Sequence, residues 1–260
     1  VTLRVISLGA GVQSTAMALM AAHGEIAQMP DCAIFADTQW EPAAVYTHLA
    51  WLKGALPFPV HVVTAGDIRA NAIARKGADG HAFASIPWFT LSPGGKSGMG
   101  RRECTDQYKL RPIKQKVVEL MGGRRPAGGV EMWLGISKDE ASRMKPSRVG
   151  YIENRWPLIE LGLSRRDCLA WMEARGYPKP PRSACVGCPF RTDADWRLLT
   201  PAEFASAVEV DKVIRSQPGE RGQQFAHQRR IPLDQVDLST AEERGQLNLF
   251  ENECEGMCGL

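Results

Sequence analysis

Residues 2–8 form a short apolar run that stops at Gly9-Ala10-Gly11, and a helical spacing of apolar residues (Ala16, Met17, Leu19, Met20) begins just beyond it. An apolar run too short for a helix, ended by glycine and followed at once by a 3.6-residue period, predicts a buried strand turning directly into a helix. The figure recurs along the chain. Residues 32–36 and 60–64 are short apolar runs on either side of a helical pattern over 43–52, and 131–136 is a further strand. Helical spacing also covers 107–121 (with Pro112 in its first turns), 164–175 and 201–216. Strands alternating with helices across short turns predict an α/β domain: a parallel sheet with helices on both faces. Right-handed crossovers then bring the loops that follow the strands to one edge of that sheet.

Two stretches break the rhythm. Residues 77–102 hold six glycines and two prolines, and are expected to form a long mobile loop of the kind used as a lid. The segment after Pro218 is polar and is expected to be irregular. With 260 residues, 44% apolar and 23% charged, the chain can bury a sizeable core. No apolar run is long enough to span a bilayer and no signal-like segment opens the sequence, so the expected location is the cytoplasm, with no membrane partner. The net charge of +3 is uneven. From Glu242 onward five acidic residues face Arg244 alone, a balance of −4, which leaves +7 on the body before it. Such a body can attract a nucleotide or a nucleic acid, although scattered solvated charge explains it equally.

The turn Gly9-Ala10-Gly11-Val12-Gln13-Ser14-Thr15 lies between strand and helix, where glycines admit a phosphate close to the backbone and the helix N-terminus favours an anion. Ser14 and Thr15 add hydroxyls. A dinucleotide fingerprint fits only in part, because a third glycine is missing at Ser14, although Asp37 stands where its acidic residue is expected.

The same string resembles the PP-loop of ATP pyrophosphatases, Ser-Gly-Gly-x-Asp-Ser-Thr, with Gly9 in place of the first Ser and Gln13 in place of Asp. Phe35-Ala36-Asp37-Thr38-Gln39-Trp40-Glu41-Pro42 resembles the Asp-Thr-Gly segment after the second strand of phosphoadenosine phosphosulfate (PAPS) reductase-like proteins. The stretch from Leu134 and Gly135 through Ser137, Asp139 and Glu140 to Arg143 resembles their later strand-end motif. With Glu103-Cys104-Thr105, Lys109 and Pro112, and a later Cys-x-x-Cys, the resemblance runs from about residue 3 to 191. It implies an adenine nucleotide alpha-hydrolase-like fold, with a PP-loop nucleotide-binding domain over 1–160 and a helical, cysteine-containing region and tail over 161–260. It implies that ATP or an adenylyl nucleotide, with Mg, meets Gly9, Gly11, Gln13, Ser14, Thr15, Asp37, Thr38, Gly135 and Arg143. Asp37 as a helix N-cap and Arg143 as a surface ion pair are the structural alternatives.

Seven cysteines, an odd count, argue for metal binding or thiol chemistry rather than a disulfide framework. Cys185-Val186-Gly187-Cys188 places two thiolates for one metal. Cys104 lies in a basic setting. Cys32 and Cys168, within a strand and a helix, are expected to be buried hydrophobes. In related adenylylsulfate reductases a Cys pair near Cys104 joins the later Cys-x-x-Cys around a four-iron cluster. That resemblance implies a 4Fe-4S cluster on Cys104, Cys185 and Cys188, with the remaining position filled by Cys254, filled by Cys258 or left open, zinc being the alternative metal. The ending Met257-Cys258-Gly259-Leu260 is similar to the tail of sulfonucleotide reductases, which makes Cys258 the candidate catalytic thiol.

Three functions remain open on the sequence. The first is an ATP-dependent sulfurtransferase that modifies nucleic acid, fed by a sulfur donor protein or by sulfide. The second is a sulfonucleotide reductase that releases sulfite through Cys258. The third is a non-catalytic nucleotide-binding module.

Overall fold

The structure, a computed structural model, describes residues 2–74, 86–123, 129–217, 222–240 and 243. In chain order the first half holds β1 (Leu3–Leu8), α1 (Val12–Ala22), β2 (Cys32–Asp37), α2 (Ala43–Ala55), β3 (Val60–Thr64) and α3 (Ile68–Ala74). There follow β4 (Phe89–Leu91), β5 (Ser97–Met99), a π-helical stretch at Asp106–Leu110, α4 (Arg111–Leu120), β6 (Val130–Leu134) and a 3₁₀ turn at Lys138–Arg143. Last come β7 (Ile152–Arg155), α5 (Pro157–Glu160), α6 (Arg165–Glu173), α7 (Asp193–Arg197), α8 (Pro201–Ser216), β8 (Gln223–Phe225) and a 3₁₀ turn at Leu233–Gln235. Two compact units result: Val1–Ile68 with Cys104–Ser183, and Arg69–Glu103 with Ala184–Leu260.

The first unit is the expected α/β layer structure. Its five strands run in the order β3-β2-β1-β6-β7, every neighbouring pair parallel. Alternate strand residues serve opposite faces, as the two-residue period demands. Ile6, Leu8, Ala33, Phe35 and Trp133 pack with α1, α2 and α6 through Met17, Leu49, Leu52, Cys168 and Met172. Val5, Cys32, Ile34, Val130 and Met132 pack on α4 through Ile113 and Val117. Helix α1 is buried along nearly its whole length, which explains its apolar composition on all sides. Pro112 sits at the start of α4, directly after the π-helical turns. A proline ring crowds the carbonyl four residues earlier, and the wider π winding relieves that contact.

The second unit departs from expectation. Within the supposed loop, residues 86–102 form the hairpin β4–β5, joined by β8 into an antiparallel sheet of order β5-β4-β8. Gly95, at φ +76°, closes the hairpin turn in a conformation that favours glycine. The rest of that predicted loop, 77–85, lies outside the described residues. Likewise the segment after Pro218 contributes β8 and a 3₁₀ turn. Capping boxes start α7 (Thr192 with Asp195) and α8 (Thr200 with Glu203).

Asp211, fully buried on α8, ties these pieces together. Its carboxylate accepts from Arg215 Nε at 2.8 Å, the Ala226 N–H at 2.9 Å and the Leu233 N–H at 3.1 Å. Replacing it by Ala leaves a partly buried guanidinium and two amides without their acceptor, so Asp211→Ala is expected to cost about 3 kcal/mol in urea unfolding.

Candidate functional site

The chain runs outward from β1 to β2 and β3, then crosses to the other side of β1 for β6 and β7. The direction of winding therefore reverses between β1 and β6. At such a reversal the loops leaving two adjacent parallel strands part in opposite directions and open a crevice at their carboxyl ends, where α/β proteins bind ligands. The loops that flank it are Gly9–Gly11 and 135–143, both singled out by the sequence.

The first loop is tightly braced. Ala10 has a positive φ of 55° and is fully buried, a strained conformation for a residue with a side chain. The Ser14 hydroxyl accepts the Gly9 N–H at 3.2 Å and donates to the Gly11 carbonyl at 3.3 Å, so it clasps the turn from inside. Ser183 donates to the Gly9 carbonyl. Gly11 is the N-cap of α1 and has no side chain to cap with, and the first turn carries no acidic residue. The opening N–H groups of an α-helix have no partners within the helix, so this end favours an anion.

Gly135 fixes the second loop against the first. A Cβ there would lie 2.8 Å from the Ser14 nitrogen and 2.9 Å from its Cα, closer than real Cβ atoms come. Across the crevice Gln13 Nε2 donates to Ser137 Oγ at 3.4 Å and to Glu140 Oε2 at 3.2 Å. Glu140 also pairs with Arg143 at 2.7 Å. Asp139 accepts the Arg165 N–H at the start of α6 at 2.9 Å. Burial alone would raise its pKa, but hydrogen bonds from Ser137 and Arg165 outweigh burial and hold it below the usual carboxylate value.

The structure places the other expected residues as follows. Asp37 ends β2, and its Oδ1 accepts the Gln39 N–H at 2.7 Å and the Tyr46 hydroxyl at 2.8 Å. It organises the turn and does not cap α2, whose N-cap is Pro42. Burial and the bond to Asp37 raise the Tyr46 pKa. Thr38 is buried and donates to Glu41 at 3.0 Å; Glu41 in turn meets Lys109 at 3.3 Å. Thr15, one turn into α1, is hydrogen-bonded to the buried His48 ring at 3.0 Å.

Sequence reasoning took Gly135 and Arg143 from their segment and passed over Ser137 and Glu140 as binding residues. It missed Ser183, which is 174 residues from its partner.

Cys185 and Cys188 share one tight turn in the second unit, closed by the Cys188 N–H on the Cys185 carbonyl at 3.1 Å. The buried Arg191 holds the turn from behind, donating to the carbonyls of Ala184 (2.8 Å), Cys185 (3.1 Å) and Val186 (2.9 Å). Both thiols are partly exposed, and two thiolates at this spacing suit a soft metal. Cys104 is also partly exposed and belongs to the first unit. Among the described residues no group of three or more His, Cys, Asp or Glu side chains is arranged around a metal position. Cys254 and Cys258 lie outside the described residues. Cys32 and Cys168 are buried, their thiols pushed up to about 11 and about 12, foremost by burial, so they are inert as nucleophiles. No helix among the described residues is long and apolar enough to cross a membrane.

No family model matches the sequence. No curated protein matches it either. Among solved structures it is similar to the phosphate complex of phosphoadenylyl-sulfate (PAPS) reductase from Candida auris, at 13% identity and a TM-score of 0.43, over 69% of this chain and 76% of that one.

Two outcomes follow from this geometry. Gly135→Ala forces the β6 loop away from α1, and is expected to lower stability by about 1–3 kcal/mol in chemical denaturation. Burial lowers the His48 pKa from 6.5, so the folded state resists a proton that the unfolded chain accepts. The contribution of neutral His48 is complete above pH 6.5 and is lost as pH falls through that value toward the folded pKa. Melting temperatures from pH 8 to pH 5 are expected to show His48→Gln less stable at pH 8, with the gap to the parent narrowing as pH falls.

Proposed function

We propose that the chain is an ATP-using sulfurtransferase that binds the nucleotide in the crevice between β1 and β6, with nucleic acid as the class of acceptor. The observation that carries the nucleotide part is the braced Gly9–Thr15 turn, which presents the α1 N-terminus at the point where the strand order reverses. The basic body before Glu242 supports a polyanionic acceptor.

In this reading the backbone N–H groups at the start of α1 hold phosphate oxygens, and Ser14 keeps the turn in the shape that exposes them. Gln13 and Arg143 donate from opposite walls. A charge-assisted bond of this kind is worth about 1.5–3 kcal/mol. An acceptor oxygen attacks the α-phosphorus and pyrophosphate leaves. The adenylylated oxygen is then a good leaving group, and a sulfur nucleophile displaces AMP. Hydrosulfide gives the thiolated product directly, whereas a donor persulfide first gives a mixed disulfide that a second thiol of the donor protein cleaves, leaving the donor as a disulfide. These N–H groups and Arg143 would stabilise the charge that builds on the phosphorus centre. Cys185 and Cys188, with Cys104 and Cys254 as further ligands, would hold an iron–sulfur cluster, which would supply an iron able to carry sulfur.

Anaerobically purified protein is expected to be brown, to contain iron and acid-labile sulfide, and to convert ATP to AMP and pyrophosphate when acceptor RNA or DNA is present. Cys104→Ser, Cys185→Ser and Cys188→Ser should each bleach it, and Ser14→Ala should weaken ATP binding roughly tenfold. A colourless protein with stoichiometric zinc would remove the cluster from the account. Sulfite release from an adenylylsulfate, abolished by Cys258→Ser, would replace transfer with reduction.

A further inference from the structure

The two carboxylate oxygens of Glu140 are divided between two donors. Oε1 takes Arg143 at 2.7 Å, and Oε2 takes Gln13 Nε2 at 3.2 Å. Both donors are residues assigned above to the nucleotide phosphates, so an anionic side chain stands beside the place an anionic ligand must enter. Its side chain is only 27% exposed, which limits the solvent screening of its charge. Position 13 holds an amide where PP-loops carry Asp. Two carboxylates at this separation would repel each other, and the amide is what lets Glu140 approach. The negative charge of the crevice thus lies on the β6 wall.

We propose that Glu140 is a specificity-determining residue that makes the crevice reject bare triphosphate and accept triphosphate neutralised by a divalent cation, an inference that rests on the nucleotide reading of the same site. The Arg143–Glu140 pair is local, three residues apart, with Arg143 54% exposed. Pairs of this kind are weak, so Arg143 exchanges a carboxylate for a phosphate readily. Once it does, Glu140 loses its counter-charge and faces the phosphates. A magnesium ion bound to the phosphates would remove that repulsion, and carboxylate oxygen is among its preferred ligands. Converting Glu140 to Gln keeps the shape of the side chain and removes the charge.

Calorimetric titration of the full chain with ATP, once with magnesium and once with EDTA, tests this in the parent, Glu140→Gln, Glu140→Ala and Arg143→Gln. The parent should favour magnesium–ATP by about tenfold, the scale of one unit charge in a partly screened crevice. Glu140→Gln and Glu140→Ala should each bring the ratio to about one, chiefly by tightening the binding of free ATP. Arg143→Gln should weaken both forms and widen the ratio. Glu153→Gln, exposed on β7, should leave the ratio unchanged. A Glu140 variant that keeps the parental ratio, or that weakens both forms alike, overturns the inference and leaves the nucleotide site standing. A parent that binds ATP in neither condition overturns the nucleotide reading and the inference with it.

Discussion

The contact on which the crevice depends is the one between Gly135, at the end of β6, and the first turn of α1. No Cβ fits there, because the Ser14 nitrogen would be 2.8 Å away. This closeness lets a strand entering from the far side of the sheet reach the Gly9–Thr15 turn, so the loops after β1 and β6 form two walls of one crevice. The reversal of strand order makes that crevice. The missing side chain at residue 135 makes it narrow enough for Gln13 to reach Ser137 and Glu140.

The bracing follows from the same geometry. The buried Ala10 at positive φ, the Ser14 hydroxyl bonded twice within its own turn, and Ser183 on the Gly9 carbonyl hold the loop in shape without a ligand. Strain of this kind persists only where surroundings over-determine it, and such places are commonly binding sites. A loop ordered in advance loses less entropy on binding a ligand. On the second unit, Arg191 does the equivalent for the Cys185–Cys188 turn by gathering its carbonyls.

Much of this was legible in the sequence, for physical reasons. β1, β2 and β6 are apolar runs with residues buried along them, and β1 and β2 are each followed by turn residues and a helical period. β3, at the sheet edge, is a half-exposed run legible from its valines. β7, Ile-Glu-Asn-Arg, buries only Ile152 and offers no such run. β4, β5 and β8 have three residues each, too few to show alternation, and are defined by distant pairings such as Phe89 with Phe225. The glycine-rich composition of residues 77–102 suggested a loop, whereas part of it serves a hairpin. In the site, Gly9, Gly11, Ser14 and Gly135 were legible because their chemistry is local. Ser183 and Glu140 were not, because their partners lie 174 and 127 residues away. Asp37 showed the limit of residue-type reasoning, since its carboxylate is engaged in the turn after β2.

The most direct test of the central claim is a crystal structure of the chain with a non-hydrolysable ATP analogue and magnesium. The account predicts the triphosphate at the N-terminus of α1, between the Gly9–Thr15 turn and the loop after Gly135, with Arg143 turned from Glu140 to a phosphate oxygen. An analogue bound elsewhere, or a crevice left empty at saturating analogue, would contradict it.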